Sequence, residues 1–222
     1  MKSLKSNNND HFSGLNNLED FIVESDHPCV MAQTVFKTKA VSHFKFDNIE
    51  NPSNDHIILH RLKRYIDAYD FNSKKFQTFI IEFTDDYCKT EIEFETDLWN
   101  FLGRLKKHDK HEWDPAVSAD ITDANFSYSL LGKAFYIIGM HPNSSRNARK
   151  TKNVTLVFNL HHQFEILRNM GVYGNVRDRI RKRDLEKNGS INPMLADFGN
   201  SSEALQYSGR QVTEKWECPF KH

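Results

Sequence analysis

Apolar residues recur with two different periods along this chain, and the two periods alternate. From Asp55 to Tyr69, the residues Ile58, Leu59, Leu62, Tyr65, Ile66 and Tyr69 fall three and four apart, which predicts a helix with one buried face. Phe76 to Phe83 is instead dense in β-branched and aromatic residues and stops at Thr84-Asp85-Asp86, the pattern of a strand. Helical spacing returns with Phe94, Leu98, Phe101, Leu102 and Leu105, ended by the polar run Lys106-Lys107-His108-Asp109-Lys110. Asn125 to Leu130, Lys133 to Met140 and Asn153 to Asn159 read as strands. A tight turn containing Gly132 joins the first two, so the three form an antiparallel meander. Gln163 to Met170 and Val172 to Glu186 read as helices, punctuated by Gly171 and ended by Gly189. His27 to Phe36 opens on a turn signal and then runs apolar, which suits either a buried strand or the start of a helix. Two interleaved periods of this kind imply an α+β fold, an antiparallel or mixed sheet packed by helices.

At 222 residues the chain can bury one sizeable core, so a single domain over 19–222 is expected. Residues 1–18, rich in Asn and Ser, read as a flexible arm. Lys plus Arg and Asp plus Glu both number 30, so there is no net field to attract nucleic acid or an anionic membrane. The first residues are too polar for a signal-peptide core, and no apolar run is long enough to span a bilayer, which points to a soluble cytoplasmic protein. Three cysteines, Cys29, Cys88 and Cys218, match no zinc spacing and argue against disulfides in a reducing compartment. No P-loop, dinucleotide fingerprint, nucleophile-elbow serine or HExxH motif occurs. The 17 phenylalanines offer flat apolar surface for a core or for the faces of a planar cofactor.

The stretch from Trp113 to Phe164 gathers acidic, basic and imidazole groups at strand ends, where sites tend to form. His141 follows the strand ending at Met140 and precedes Ser144, Ser145, Arg146 and Arg149. A neutral imidazole suits iron, while guanidinium forks and hydroxyls suit carboxylates; a polar hairpin loop would look the same. His161 follows the next strand and opens a helix, where it either faces a pocket or flanks the helix start. Asp114 and Asp120 offer carboxylates that can clamp a planar cation, or that turn inward on their own loop as Asx-turns. The basic run Arg177 to Asp184 reads as a solvated helical face, with some arginines able to face a ligand edge. Cys29 and Cys218 are either buried unreactive thiols or thiolate ligands.

Several segments resemble the YqcI/YcgG family. They are His27-Pro28-Cys29, Trp113-Asp114-Pro115 through Phe126-Ser127, His141 to Arg149, Val157 to His161 and Gln163-Phe164-Glu165. Ile180 to Asp184, Gly189 to Gly199, Gln206 to Arg210 and Trp216 to Phe220 continue the likeness over most of the chain, whereas Lys37 to Phe46 departs from it. The resemblance implies a haem b protein that takes dioxygen and electrons from an external reductase. Its implied substrate is a small guanidino compound such as arginine, hydroxylated on a guanidine nitrogen; a homodimer is compatible with it. It implies histidine rather than cysteine at the iron, His141 ahead of His161, while the residues alone leave a Cys29 or Cys218 thiolate open. It further implies Arg146, Arg149, Ser144 and Ser145 at the propionates, Phe126 and Phe158 against the ring, and Asp114 or Asp120 on the substrate. A haem protein for sensing, storage or gas binding, without turnover, is the competing expectation.

Overall fold

Asn17 accepts the Asp20 N–H at 3.0 Å and caps the first helix, α1 (Leu18–Val23), so regular structure begins at the end of the expected arm. The computed structural model describes residues 17–86, 90–194, 196–213 and 215–220; residues 1–16 of the arm expected over 1–18, and Cys88, lie outside the described residues. The ambiguous segment after His27 is a helix, α2 (Val30–Lys37), with Cys29 at its N-cap. Its residues Ala32, Val35 and Phe36 lie three and four apart and share one face, which is the helical rather than the strand solution for this apolar run.

A five-stranded mixed sheet carries the fold. Its strands are β1 (Val41–Phe46), β2 (Thr78–Phe83), β3 (Tyr128–Leu130), β4 (Lys133–Met140) and β5 (Val154–Leu160), in the order β1-β2-β5-β4-β3. Strands β3, β4 and β5 form the expected antiparallel meander, and β2 adds antiparallel to β5. Leu131 and Gly132, with φ of 55° and 69°, make the two-residue turn between β3 and β4. Both central residues of a type I′ hairpin turn need the left-handed region, and of these two only Gly132 enters it without a Cβ penalty. Strand β1 falls in the stretch that departs from the family pattern. It pairs parallel to β2 at the sheet edge, joined to it through α3 (Asp55–Ala68).

Register decides what each face of the sheet does. Phe79, Phe158 and Ile137 lie side by side on β2, β5 and β4, as do Ile80, Val157 and Ile138 one step along. The first row faces α3 and α4 (Glu91–His108), where Ile58, Leu62, Leu98, Phe101 and Leu102 complete a core with no solvent exposure. Gly139 continues that face, and a Cβ there would come within 2.8 Å of both the Phe94 ring and the Tyr207 carbonyl. The second row faces α2, α5 (His161–Asn169) and α6 (Tyr173–Asn188), and there the packing is open. A short helix, α7 (Ala204–Tyr207), lies against β4.

Candidate functional site

Between the second face of the sheet and its three covering helices lies a cavity of about 260 Å3. Ile80, Ile138, Met140 and Val157 form an apolar floor, and Ala32 and Val35 from α2 with Leu167 from α5 form part of the roof. Helix α6 crosses above with Tyr173, Val176, Arg177, Ile180, Arg181 and Asp184, a single stripe at helical spacing. The Gly189 residue that ends α6 sits at φ 70°, as its place after the basic run leads one to expect.

The His27-Pro28-Cys29 turn forms one wall. Arg183 binds it from α6, donating to the carbonyls of Asp26 and His27, both at 3.1 Å, and of Pro28 at 3.2 Å. His27 Nε2 lies 2.9 Å from the Ala148 carbonyl, while Nδ1 accepts the Cys29 N–H at 3.1 Å, so both ring nitrogens are spent. Burial lowers the His27 pKa to about 4, which keeps the ring neutral. Cys29 Sγ accepts the Ala32 N–H at 3.4 Å from the first turn of α2. Burial pushes the thiol up, against the pull of the Ala32 and Met31 N–H groups and of Arg149 and Arg183.

Arg149 carries a buried charge in an unusual setting. It is 8% exposed and lines the cavity, and its guanidinium donates only to main-chain carbonyls: Gly139 at 2.8 Å, Gln206 at 3.3 Å and Tyr207 at 3.4 Å. Among the described residues no carboxylate lies within ion-pair distance of it. A buried cation answered only by neutral dipoles leaves room for an anion. Its neighbour Arg146 lines the same cavity but is neutralised by Asp184 at 2.6 Å. Arg177 and Arg181 both pair with Asp197.

The structure separates several residues that the sequence placed together. His141 follows β4 on the side of α4, is 1% exposed and stacks on Phe94 with ring centroids 4.4 Å apart, away from the cavity. Burial lowers its pKa to about 4. Phe126 and Phe158 are wholly buried in the α3/α4 core, and Cys218 packs against that same core, where burial pushes its thiol up to about 12. Ser145 is tied by its N–H and hydroxyl to Glu91 at 2.9 and 2.8 Å, and the buried Ser144 hydroxyl accepts the Arg146 N–H. Asp114 spends its carboxylate on the Ala116 and Ala134 N–H groups at 3.0 and 2.9 Å. Asp120 closes a local turn on Thr122. The structure therefore puts Arg146 and Arg149 at the cavity, His161 behind its wall, and the other seven elsewhere. Cys29, named in the sequence only as an alternative ligand, is at the cavity as well.

One residue escaped the sequence altogether. Glu203, just before α7, is 4% exposed and lines the cavity, and burial raises its pKa to about 8. Its Oε1 lies 4.0 Å from His161 Nδ1, and its Oε2 accepts from Tyr207 Oη at 3.2 Å. A lone Glu in a short polar segment carries no sequence signal; only the packing of α7 against β4 reveals it.

Among the described residues no group of three or more His, Cys, Asp or Glu is arranged to hold a metal ion, and no helix is long and apolar enough to cross a membrane. Fold and cavity together define a mixed α+β domain that holds, among the described residues, a mainly apolar chamber with cationic corners. The model of the YqcI/YcgG family matches residues 18–221, and the chain belongs to that family. No curated protein and no solved structure matches it.

Proposed function

We propose that this chamber holds haem b and that the protein is a haem-dependent monooxygenase acting on a guanidine nitrogen of arginine or a related guanidino compound. The observation that carries the reading is the joint placement of the Cys29 sulfur and the uncompensated Arg149 guanidinium beside an apolar floor and roof. A porphyrin asks for flat apolar walls, one axial donor and cations for its propionates. The floor and roof residues supply the walls, Cys29 the donor, and Arg149 the cation, with Arg146 beside it. Cys29 is favoured over the histidines on geometry. His141 lies on the opposite face of the sheet, His27 has no free nitrogen, and His161 stands behind the chamber wall with Nε2 held by Glu165 at 3.1 Å and Nδ1 turned to Glu203. Burial holds the free thiol protonated, and a bound metal, helped by the Ala32 N–H and the nearby Arg149 and Arg183 guanidiniums, would favour the thiolate.

When bound, haem would supply dioxygen reduction and oxygen transfer to nitrogen. The balance is one oxygen atom to the nitrogen and the other to water, with two electrons and two protons drawn through an external reductase. This chain's residues do the rest. The floor and roof exclude water, the Ala32 N–H accepts part of the thiolate's charge, and Arg149 neutralises a carboxylate at the chamber's edge. A cytoplasmic setting, with its reducing thiol pool, agrees with free cysteines and with access to a reductase.

Expression with a haem precursor followed by absorption spectroscopy tests this. The wild-type protein is expected to show a Soret band, His141→Ala to keep its position, and Cys29→Ser to lose the band or change the ferrous carbonyl spectrum. A colourless wild type, or a Cys29→Ser variant spectrally identical to it, defeats the assignment. Arginine, reductant and dioxygen should then give an N-hydroxylated product; bound haem without product leaves the non-catalytic haem protein.

A further inference from the structure

Two buried groups, an imidazole and a carboxyl, face one another at one end of the chamber beyond hydrogen-bond distance. Glu165 Oε1 lies 3.1 Å from His161 Nε2, so the proton of the neutral ring sits on Nε2 and Nδ1 is a bare acceptor. That Nδ1 has no hydrogen-bond partner, although the side chain is only 5% exposed. It points at Glu203 Oε1 across 4.0 Å, and Glu203 itself has no Lys or Arg within ion-pair distance among the described residues. Arg168, the nearest cation on α5, is taken by Glu165 and lies over the rings of Tyr173 and Phe198.

We propose that Glu203, positioned by His161, is the binding site for a cationic nitrogen head group, an ammonium, amidinium or guanidinium, carried by the chamber's organic ligand. Such a head has at least two N–H donors and one positive charge, which is what a carboxylate and a bare imidazole nitrogen 4.0 Å apart lack. The rings of Tyr136, Phe164 and Phe198 line the same chamber, Phe198 against His161 and Tyr136 against Phe164, and their faces favour a cation further. As an assignment of the substrate end that is oxidised, the proposal rests on the haem reading above; as a cation site it stands on the carboxylate alone. It takes that role in place of Asp114 and Asp120, since Asp114 holds the Ala116 and Ala134 N–H groups and Asp120 the Thr122 N–H, and neither lines the chamber.

The site has a proton signature. Glu203 is faced by His161, Glu165 and Arg168 from α5, by Tyr136 from β4, by Ser127 beside β3, and by Tyr207 on its own helix. With burial raising its pKa to about 8, the carboxyl is mostly protonated near neutrality in the empty chamber. A cation binds only the ionised form, so binding releases a proton, and affinity rises about tenfold per pH unit until pH passes about 8.

Isothermal titration of the purified protein, its haem content recorded by absorption, with L-arginine, agmatine and the uncharged isostere L-citrulline tests this. Runs at pH 7 in two buffers of different ionisation enthalpy count the protons. Wild type is expected to bind arginine or agmatine with proton release and to bind citrulline far more weakly. Glu203→Gln should lose cation affinity on the order of 10- to 100-fold and abolish the proton release. Glu203→Asp should retain part of both, and His161→Phe should weaken the cation without removing the release. Thermal melts identify any variant that fails to fold, and Glu203→Asp then carries the comparison. Equal binding of arginine and citrulline, no cation binding by wild type, or unchanged proton release in Glu203→Gln overturns the proposal. A missing Soret band with Glu203-dependent cation binding intact sinks the haem reading and leaves this one standing.

Discussion

Val157 and Phe158 are neighbours on β5 and both apolar, yet truncating them should have different consequences because they point to opposite faces of the sheet. Phe158 has no solvent exposure and meets Phe79 and Phe135 edge to face, with ring centroids 6.0 and 5.9 Å apart. Phe158→Ala removes a ring from a closed core and leaves a void, a loss of about 3–5 kcal/mol that includes both aromatic contacts. Val157 is 9% exposed and borders the existing chamber, so Val157→Ala enlarges a space already present. Its cost is the transfer free energy of two carbons, about 1.6 kcal/mol. For a chain of this size each kcal/mol shifts the melting temperature by about 2–4 °C. Phe158→Ala should therefore melt roughly 6–20 °C below wild type, and Val157→Ala roughly 3–6 °C below. The ranking reverses for ligand capacity: Val157→Phe, which fills the chamber, should block ligand uptake with little loss of stability. Circular-dichroism melts with ligand titration on the same samples check both halves. Equal losses for the two alanine variants, or uptake lost in Phe158→Leu and kept in Val157→Phe, would refute the assignment of faces.

Acid should expose the buried histidines. The His141 pKa is about 4 in the fold against an ordinary 6.5, so the stability it contributes is complete above pH 6.5 and is lost as pH falls toward 4, where the unfolded chain binds the proton first. That is on the order of 3 kcal/mol at most. His27, also held at about 4, adds a loss of the same sign, while Glu203, raised to about 8, acts oppositely between 4.5 and 8. The difference between wild type and His141→Phe isolates the one group: in urea unfolding from pH 7 to 4.5 the variant should lose less stability, and parallel curves would refute it. On the other face, Arg104 clamps the fully buried Asp55 at 3.0 and 3.3 Å. Arg104→Met should cost about 3–5 kcal/mol in urea unfolding, and Arg104→Met with Asp55→Asn less than the sum of the two, because the first change strands a buried charge that the second removes. Additive losses would place the pair outside a shared network.

Much of the scaffold was legible because it depends on local periodicity. The helix over 55–68 and the strand over 133–140 follow from spacing alone, and so does the meander, whose turn needs the left-handed region at Gly132. The site was less legible for a physical reason. His141 and His161 both end strands of the same meander, but the two-residue repeat of a strand and the start of α5 put one on the α4 side and the other behind the chamber. The run Arg177 to Asp184 carries charges around its circumference, so no amphipathic signal marks the stripe that faces the chamber.

The amino-acid sequence by itself determined the kinds of element, the family and the stock of chemical groups, since periodicity, turn residues and motif strings are properties of near neighbours. Only the tertiary structure decided which groups share a chamber. That depends on the register between β2, β5 and β4 and on where α2, α6 and α7 settle, set by contacts between residues far apart in the chain, as where Arg183 of α6 holds the Asp26 carbonyl 157 residues before it, which no local pattern encodes.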